Sequence, residues 1–123
     1  VSDFKVLKKN DIKIKKEDEI TIKLEKNVDI LSYISNHNSM RPRLVVGFAA
    51  ETNDLEDNAV KKLKNKNCDI IIANDVSNKN IGFDSEFNEV TIFYKDNKKE
   101  KLFIKNKSLI SEEIVERVNK QLN

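Results

Sequence analysis

The sequence contains few of the residues on which several common kinds of functional site depend. Its 123 residues include one cysteine, one histidine, one proline and two glycines, and no tryptophan. A single cysteine excludes a disulfide within the chain and a cysteine-rich metal site. We expect Cys68 to begin a buried strand and His37 to be exposed at a helix end, so the sequence offers neither a histidine metal cluster nor a catalytic triad.

The two glycines, Gly47 and Gly82, are too far apart to form a recognised phosphate-binding loop. A Walker loop and a Gly-x-Gly-x-x-Gly fingerprint both need closely spaced glycines, because the backbone must approach the phosphates. Any phosphate site in this protein must therefore follow another design.

Long apolar runs and an excess of one charge are also missing. No segment approaches the roughly 18 apolar residues of a membrane helix, and the first residues lack the apolar stretch of a signal peptide. The chain has 23 basic and 21 acidic residues, a formal net charge of +2, which disfavours a general nucleic-acid binder. We expect a cytoplasmic protein without a membrane or nucleic-acid partner. Because no initiator methionine is present, we also expect the chain to be a fragment of a longer protein.

Apolar periodicity predicts alternating strands and helices. Strands are predicted at residues 19–25, 44–48 and 68–73, and a β-hairpin at residues 90–94 and 101–105 around a turn at residues 96–99. Three helices are predicted: one that begins after an N-cap at Asn27, one over residues 53–65, and one that begins after an N-cap at Ser111. Residues 77–88 are predicted to form a loop.

This order of elements predicts the fold class. It is a single three-layer, Rossmann-like α/β domain over residues 1–123, with a largely parallel sheet, a C-terminal β-hairpin and a final helix. Right-handed crossovers would place the ends of strands 44–48 and 68–73 side by side at one edge of the sheet. Ligands of such sheets bind at that edge.

Small and polar residues follow these two strands, and cations are available nearby. The residues at the end of strand 44–48 include Phe48 and Glu51, and those after strand 68–73 include Asn74, Asp75 and Ser77. Asn74 and Asp75 are equally consistent with simple turn caps. A phosphate site needs backbone amides and cations. The helix start at residues 27–30 could supply the amides, and the cations could be Lys13 together with Lys62 and Lys66, which lie four residues apart on one helix face.

With these residues in view, the sequence resembles the phosphopantothenoylcysteine synthetase domain of the bacterial bifunctional coenzyme A biosynthesis protein. The matching blocks, in the family's order, are Asp3-Phe4, Lys13-Ile14-Lys15-Lys16, Glu19-Ile20-Thr21-Ile22, Lys26-Asn27-Val28-Asp29-Ile30, residues 45–52, residues 68–77, and residues 82–83 and 88–90. They cover most of the chain, which makes a chance match very improbable.

The resemblance implies an enzyme that uses CTP to join cysteine to 4'-phosphopantothenate. The carboxylate is activated as an acyl-cytidylate with release of pyrophosphate, and the amine of cysteine then forms the amide. The family also implies Mg²⁺ or Mn²⁺ and a homodimer. FMN would be expected only with a decarboxylase fused upstream, and not in this chain.

The resemblance also implies which residues contact the nucleotide. Lys13 is the implied catalytic residue, Phe48 would border the cytosine, and Asp3 would bind ribose hydroxyls or the metal. Asn74 belongs to a family signature without an assigned contact. The full set of implied nucleotide-binding positions is Asp3, Lys13, Val28, Asp29, Ile30, Leu31, Phe48, Lys62, Lys66 and Asn74.

Three features depart from the family pattern. Val28 stands where proline is common, residues 16–19 form a shorter flap without glycine, and the glycine-rich upstream half is absent. We therefore expect the C-terminal part of the ligase domain, with little or no activity alone. A non-catalytic nucleotide-binding or dimerisation domain of the same fold is the alternative, and a basic RNA-binding module is disfavoured by the charge balance.

Overall fold

The computed structural model of the protein describes residues 2–7, 21–77 and 85–123. Lys13, the flap at residues 16–19 and Gly82 lie outside these ranges. Along the chain the elements are β1 (Phe4–Val6), β2 (Leu24–Lys26), α1 (Ile30–Ser35), β3 (Val46–Glu51), α2 (Leu55–Asn65), β4 (Ile70–Asp75), β5 (Phe87–Tyr94), β6 (Lys99–Asn106) and α3 (Lys107–Leu122).

The main sheet has four described strands in the order β3-β4-β5-β6. Strands β3 and β4 are parallel, with Val46 opposite Ile70 and Glu51 opposite Asp75. Their carboxyl ends therefore lie side by side at one edge of the sheet, which confirms the predicted placement. Strands β1 and β2 form a separate antiparallel pair in which Phe4 is opposite Lys26.

The predicted α/β class, the C-terminal hairpin and the final helix are confirmed. The prediction of a largely parallel sheet was wrong for the described strands, since only β3–β4 is parallel, whereas β4–β5 and β5–β6 are antiparallel. The reason is the length of the connections. The β5–β6 hairpin was predicted, so the error concerns β4–β5: residues 76–86 connect these strands, fewer than the dozen or more residues that a crossover to a parallel neighbour needs.

Helices cover both faces of the sheet, so the predicted three layers are also confirmed. On one face α2 packs through Ala59 and Leu63 against a cluster that includes Ile71 and Phe93. On the other face Ile110 of α3 packs against a second cluster around Ile72. Buried β-branched residues on both sides of β4 explain why its sequence is a continuous apolar run. None of the described helices is long and apolar enough to cross a membrane.

Several element boundaries differ from the sequence-based prediction. β3 ends three residues later than predicted and β4 two residues later, because backbone pairing continues to Glu51 and Asp75. β2 begins only at Leu24, and β5 already begins at Phe87, within the predicted loop. The acidic first turn and basic last turn of α2 are confirmed.

Two predicted helix caps were wrong. Helix α1 is capped by Asp29, whose Oδ1 accepts a hydrogen bond from Ser32 N at 2.8 Å, and not by Asn27. Helix α3 is capped by Asn106, whose Oδ1 accepts from Ser108 N at 2.9 Å. Ser111 lies inside that helix because β6 continues into α3 without a loop.

Candidate functional site

A cleft of about 830 Å³ lies along β3, one of the two edge strands of the main sheet as described. Its walls come from β1, the turn between β2 and α1, β3, and α2. Eight residues from the predicted set line it: Asp3, Val28, Asp29, Ile30, Leu31, Phe48, Lys62 and Lys66. The fold thus brings together side chains that are up to 63 positions apart in the sequence, from Asp3 to Lys66.

Asn27 places Asp3 beside the turn that precedes α1. Its backbone N–H donates to Asp3 O at 2.9 Å, and its side-chain Nδ2 donates to Ser2 O at 2.7 Å. These two bonds continue the pairing of β1 with β2 by one residue. Asn27 therefore fixes the relative position of Asp3 and residues 28–31 instead of starting the helix.

Lys62 of α2 and Lys66, the C-cap residue of α2, both line the cleft, and each faces a carboxylate. Lys66 Nζ forms a close ion pair with Asp29 Oδ2, and Lys62 Nζ lies 3.9 Å from Glu51 Oε1. The Lys66 ammonium, together with the hydrogen bond from Ser32 N, holds the pKa of Asp29 below its ordinary value. The cleft therefore contains two cations that are partly neutralised by neighbouring acids.

Gly47 allows α1 to pack directly against β3. A methyl group at this position would lie 2.7 Å from Ile71 Cδ1 and 2.8 Å from Leu31 Cδ2, both closer than atoms can approach. From the sequence, Gly47 was placed in strand 44–48 and excluded from a phosphate-binding loop, but this close contact was not predicted. A glycine inside an apolar strand is itself the signal of such a close approach.

Phe48 separates this cleft from a second cavity of about 530 Å³ beneath α3, and its side chain contributes to the lining of both. The residue is 67% exposed. Its aromatic face is therefore available to pack against a flat ligand group from either side.

Asn74 lies in the second cavity and not in the cleft. It is opposite Ala50 in the sheet register, and its Oδ1 is buried without a hydrogen-bond partner among the described residues. Its neighbour Asp75 serves a local role, since its Oδ1 accepts from the backbone N–H and the hydroxyl of Ser77 at 2.9 and 2.6 Å. These bonds lower the pKa of Asp75 and confirm the turn-cap interpretation for that residue.

The cleft has limited capacity to hold a metal ion by itself. Within the described parts of the chain, no three His, Cys, Asp or Glu side chains are grouped so as to hold one. Magnesium sites that serve nucleotides commonly use one or two carboxylates plus substrate phosphates and water. Asp3, which lines the cleft, fits the protein's share of such a site.

Comparison with known proteins shows the family of this chain. The domain described as "DNA/pantothenate metabolism flavoprotein C-terminal domain" matches residues 1–122. The "Coenzyme A biosynthesis bifunctional protein CoaBC" of Bacillus subtilis is 44% identical over 93 residues, which is 76% of this chain and 22% of that protein. The protein of the same name from Haemophilus influenzae is 43% identical over 101 residues, 79% of this chain and 24% of that protein.

A solved structure gives the same result. The crystal structure of the C-terminal domain of a CoaBC protein superposes with a TM-score of 0.67 at 35% identity, covering 82% of this chain and 45% of that one. This chain thus spans less than a quarter of the length of the two relatives and less than half of the solved domain. With this coverage and identity, and with the expected resemblance confirmed, the chain belongs to the family of DNA/pantothenate metabolism flavoprotein C-terminal domains, to which the C-terminal part of CoaBC also belongs.

Proposed function

We propose that this chain forms the triphosphate-binding side of a CTP-dependent phosphopantothenate–cysteine ligase of coenzyme A biosynthesis. The observation that carries the proposal is the cleft beside β3, where Lys62 of α2 and Lys66 at its C-cap meet residues 28–31 and Asp3 from distant parts of the chain. The names of the relatives support a role in coenzyme A biosynthesis. The positive charges of Lys62 and Lys66 in the cleft suit a polyanionic ligand.

The reaction brings two anions together and so requires charge neutralisation. The carboxylate oxygen of 4'-phosphopantothenate attacks the α-phosphorus of CTP, the bond to the β-phosphate breaks, and pyrophosphate leaves. The cysteine amine then attacks the acyl carbon of the acyl-cytidylate, CMP leaves, and the amine gives up a proton. Preorganised positive charge near the phosphates is the main means of lowering such a barrier.

In this proposal each side chain has a distinct task. Lys62 and Lys66 exchange their contacts with Glu51 and Asp29 for phosphate oxygens, so the acids keep the ammonium groups in place while the cleft has no ligand. Backbone amides of residues 28–31 bind further phosphate oxygens, and Phe48 packs against the cytosine. Lys13, outside the described residues, is proposed as the catalytic cation.

A divalent cation, Mg²⁺ or Mn²⁺, would be held by Asp3 and the phosphates of CTP. When bound, it would neutralise phosphate charge and assist the departure of pyrophosphate. Since the relatives are more than four times longer than the matched region, we also propose that the complete active site needs residues beyond this chain.

The β1–β2 pair is proposed as the contact between two copies of the chain. Two strands alone are marginally stable in water. The pair also leaves several large apolar side chains more than 45% exposed: Phe4, Val6, Leu7 and Leu24. A homodimer would cover them and would leave Asp3 near the junction of the two subunits.

Titration with CTP and Mg²⁺ tests the proposal. We expect Lys62→Met and Lys66→Met each to raise the Kd for CTP by about tenfold or more, since a charge-assisted contact to phosphate is lost. Lys64→Met is the matched control, because Lys64 lies on the same helix, is exposed and does not line the cleft. An equal loss in all three variants, or in none, would contradict the assignment.

A ligation assay with CTP, 4'-phosphopantothenate and cysteine decides between enzyme and binding domain. Formation of pyrophosphate and amide that is lost in Lys66→Met supports the ligase. Tight CTP binding without turnover, even when the domain is supplied in its longest natural form, would assign the non-catalytic alternative.

A further inference from the structure

A polar cluster around the buried Ser35 joins the ends of α1 and α2. Ser35, the last residue of α1, is fully buried. Its Oγ donates to Lys66 O in a short hydrogen bond and also approaches Ser32 O at 3.2 Å. Asn67, in the left-handed turn after α2, donates from Nδ2 to Ser35 O at 3.1 Å. The two helix ends are thus bonded to each other directly.

Arg41 reinforces this junction from the following loop. Its Nε donates to Ser35 O at 2.8 Å, and its terminal nitrogen NH2 donates to Asn67 O at 3.1 Å and to Asp69 Oδ2 at 2.8 Å. The same carboxylate oxygen accepts from Val45 N at 2.8 Å. One planar guanidinium therefore connects α1, the turn after α2 and the chain that leads into β3.

As a result, both the backbone and the side-chain ammonium of Lys66 are held in place. Its carbonyl oxygen accepts from Ser35, and its ammonium contacts Asp29 at the start of the same short helix. Helix α1 spans the distance between these two contacts. The position of Lys66 Nζ relative to residues 28–31 thus depends on the contact between Ser35 and Lys66.

We propose that Ser35 and Arg41 are positioning residues of the cleft. They bind no ligand themselves, and they set the Lys66 side chain against residues 28–31 so that both meet the same phosphate group. The inference rests on the proposed function and deepens it. A misplacement of about 1 Å weakens such preorganised contacts strongly, because the charges no longer converge on one oxygen.

A double-mutant cycle separates positioning from general stabilisation. In CTP titrations we expect Ser35→Ala to raise Kd about fivefold or more in the native background and in Lys62→Met, but less than twofold in Lys66→Met, where the side chain that it positions is gone. Ser108→Ala, an exposed serine of α3, should leave Kd unchanged in every background. If Ser35→Ala raises the Kd for CTP as strongly in Lys66→Met as in the native protein, or does not raise it in either, the inference is overturned.

A second readout needs no nucleotide, so it separates this inference from the proposed function. If Ser35→Ala displaces Lys66, the pKa of the Asp29 carboxyl, measured by NMR, should rise toward its ordinary value, and Arg41→Lys should act in the same direction with a smaller disturbance of the fold. Lys cannot bridge the three acceptors that Arg41 joins. An unchanged Asp29 pKa in both folded variants contradicts the positioning role, whereas native protein that fails to bind CTP contradicts the proposed function alone.

Discussion

The two carboxylate oxygens of Asp29 make two different contacts. One carboxylate oxygen caps α1 through Ser32 N, and the other pairs with the Lys66 ammonium. Both contacts favour the ionised form and lower the pKa of Asp29. The residue therefore couples the stability of α1 to the placement of a cation in the cleft.

This coupling predicts a pH-dependent contribution to stability. A carboxyl with a lowered folded-state pKa stabilises the protein above its unfolded pKa of about 3.9, and that contribution is lost as the pH falls through the folded pKa. Asp29→Asn should thus lower the free energy of unfolding at pH 7, by no more than about 1 kcal/mol because the pair is partly exposed. Denaturant unfolding of both proteins should show the difference shrinking below about pH 4.

Lys66→Met provides the check on the cause. It leaves the cap intact and removes the ammonium, so it should reproduce most of the same pH dependence. A difference between native and Asp29→Asn protein that stays constant from pH 7 to pH 3 would rule out the ionic contribution.

At the scale of elements, α3 is attached to the sheet by an apolar face and by two ion pairs with β6, Arg117 with Glu100 and Glu113 with Lys105. Ile110, Ile114 and Val118 pack on the cluster below the helix. Arg117 Nε lies 2.9 Å from each carboxylate oxygen of Glu100 on β6, and this guanidinium lowers the pKa of Glu100. The pair attaches α3 to β6.

Removing this pair should loosen the helix measurably. We expect Arg117→Met to lower the free energy of unfolding by about 1 kcal/mol, since a bidentate, charge-assisted contact is lost but Glu100 stays partly exposed. Lys120→Met is the matched control on the same helix, because the partner of Lys120 among the described residues is Glu116 at an exposed i,i+4 position, and it should change stability by less than about 0.5 kcal/mol. Equal effects in chemical denaturation would refute a special role for Arg117.

At the scale of the whole molecule, apolar exposure is uneven. The main sheet is covered by helices on both faces, whereas the β1–β2 pair exposes half or more of the surface of Phe4 and Leu24. Exposed apolar side chains grouped on adjacent strands mark a surface that associates.

The proposed dimer can be tested at this surface. Phe4→Ser combined with Leu24→Ser should shift the protein from dimer to monomer in sedimentation equilibrium, because the apolar area that drives association is removed. Leu109→Ser, an equally exposed leucine on α3, should leave the dimer intact. A monomeric native protein, or dissociation by Leu109→Ser alone, would exclude the β1–β2 contact.

Local patterns were sufficient to predict much of the fold. The apolar runs before Glu51 and Asp75, the charge gradient of α2 and the polar turn each depend on neighbours in the chain; the turn was predicted at residues 96–99 and lies at residues 95–98. The four-residue spacing of Lys62 and Lys66 likewise predicted that they share one helix face. Such features survive in any tertiary context because period and propensity act over a single element.

The sequence by itself thus determined most of the strands and helices and the shared face of Lys62 and Lys66, although it did not predict β1 or the caps of α1 and α3. Only the tertiary structure decided that β4 and β5 pair antiparallel, that Asp29 faces Lys66, and that Asn74 lies in a different cavity from the lysines. These are contacts between residues far apart in the chain. Their formation depends on how packed layers bring distant segments together, which no local periodicity encodes.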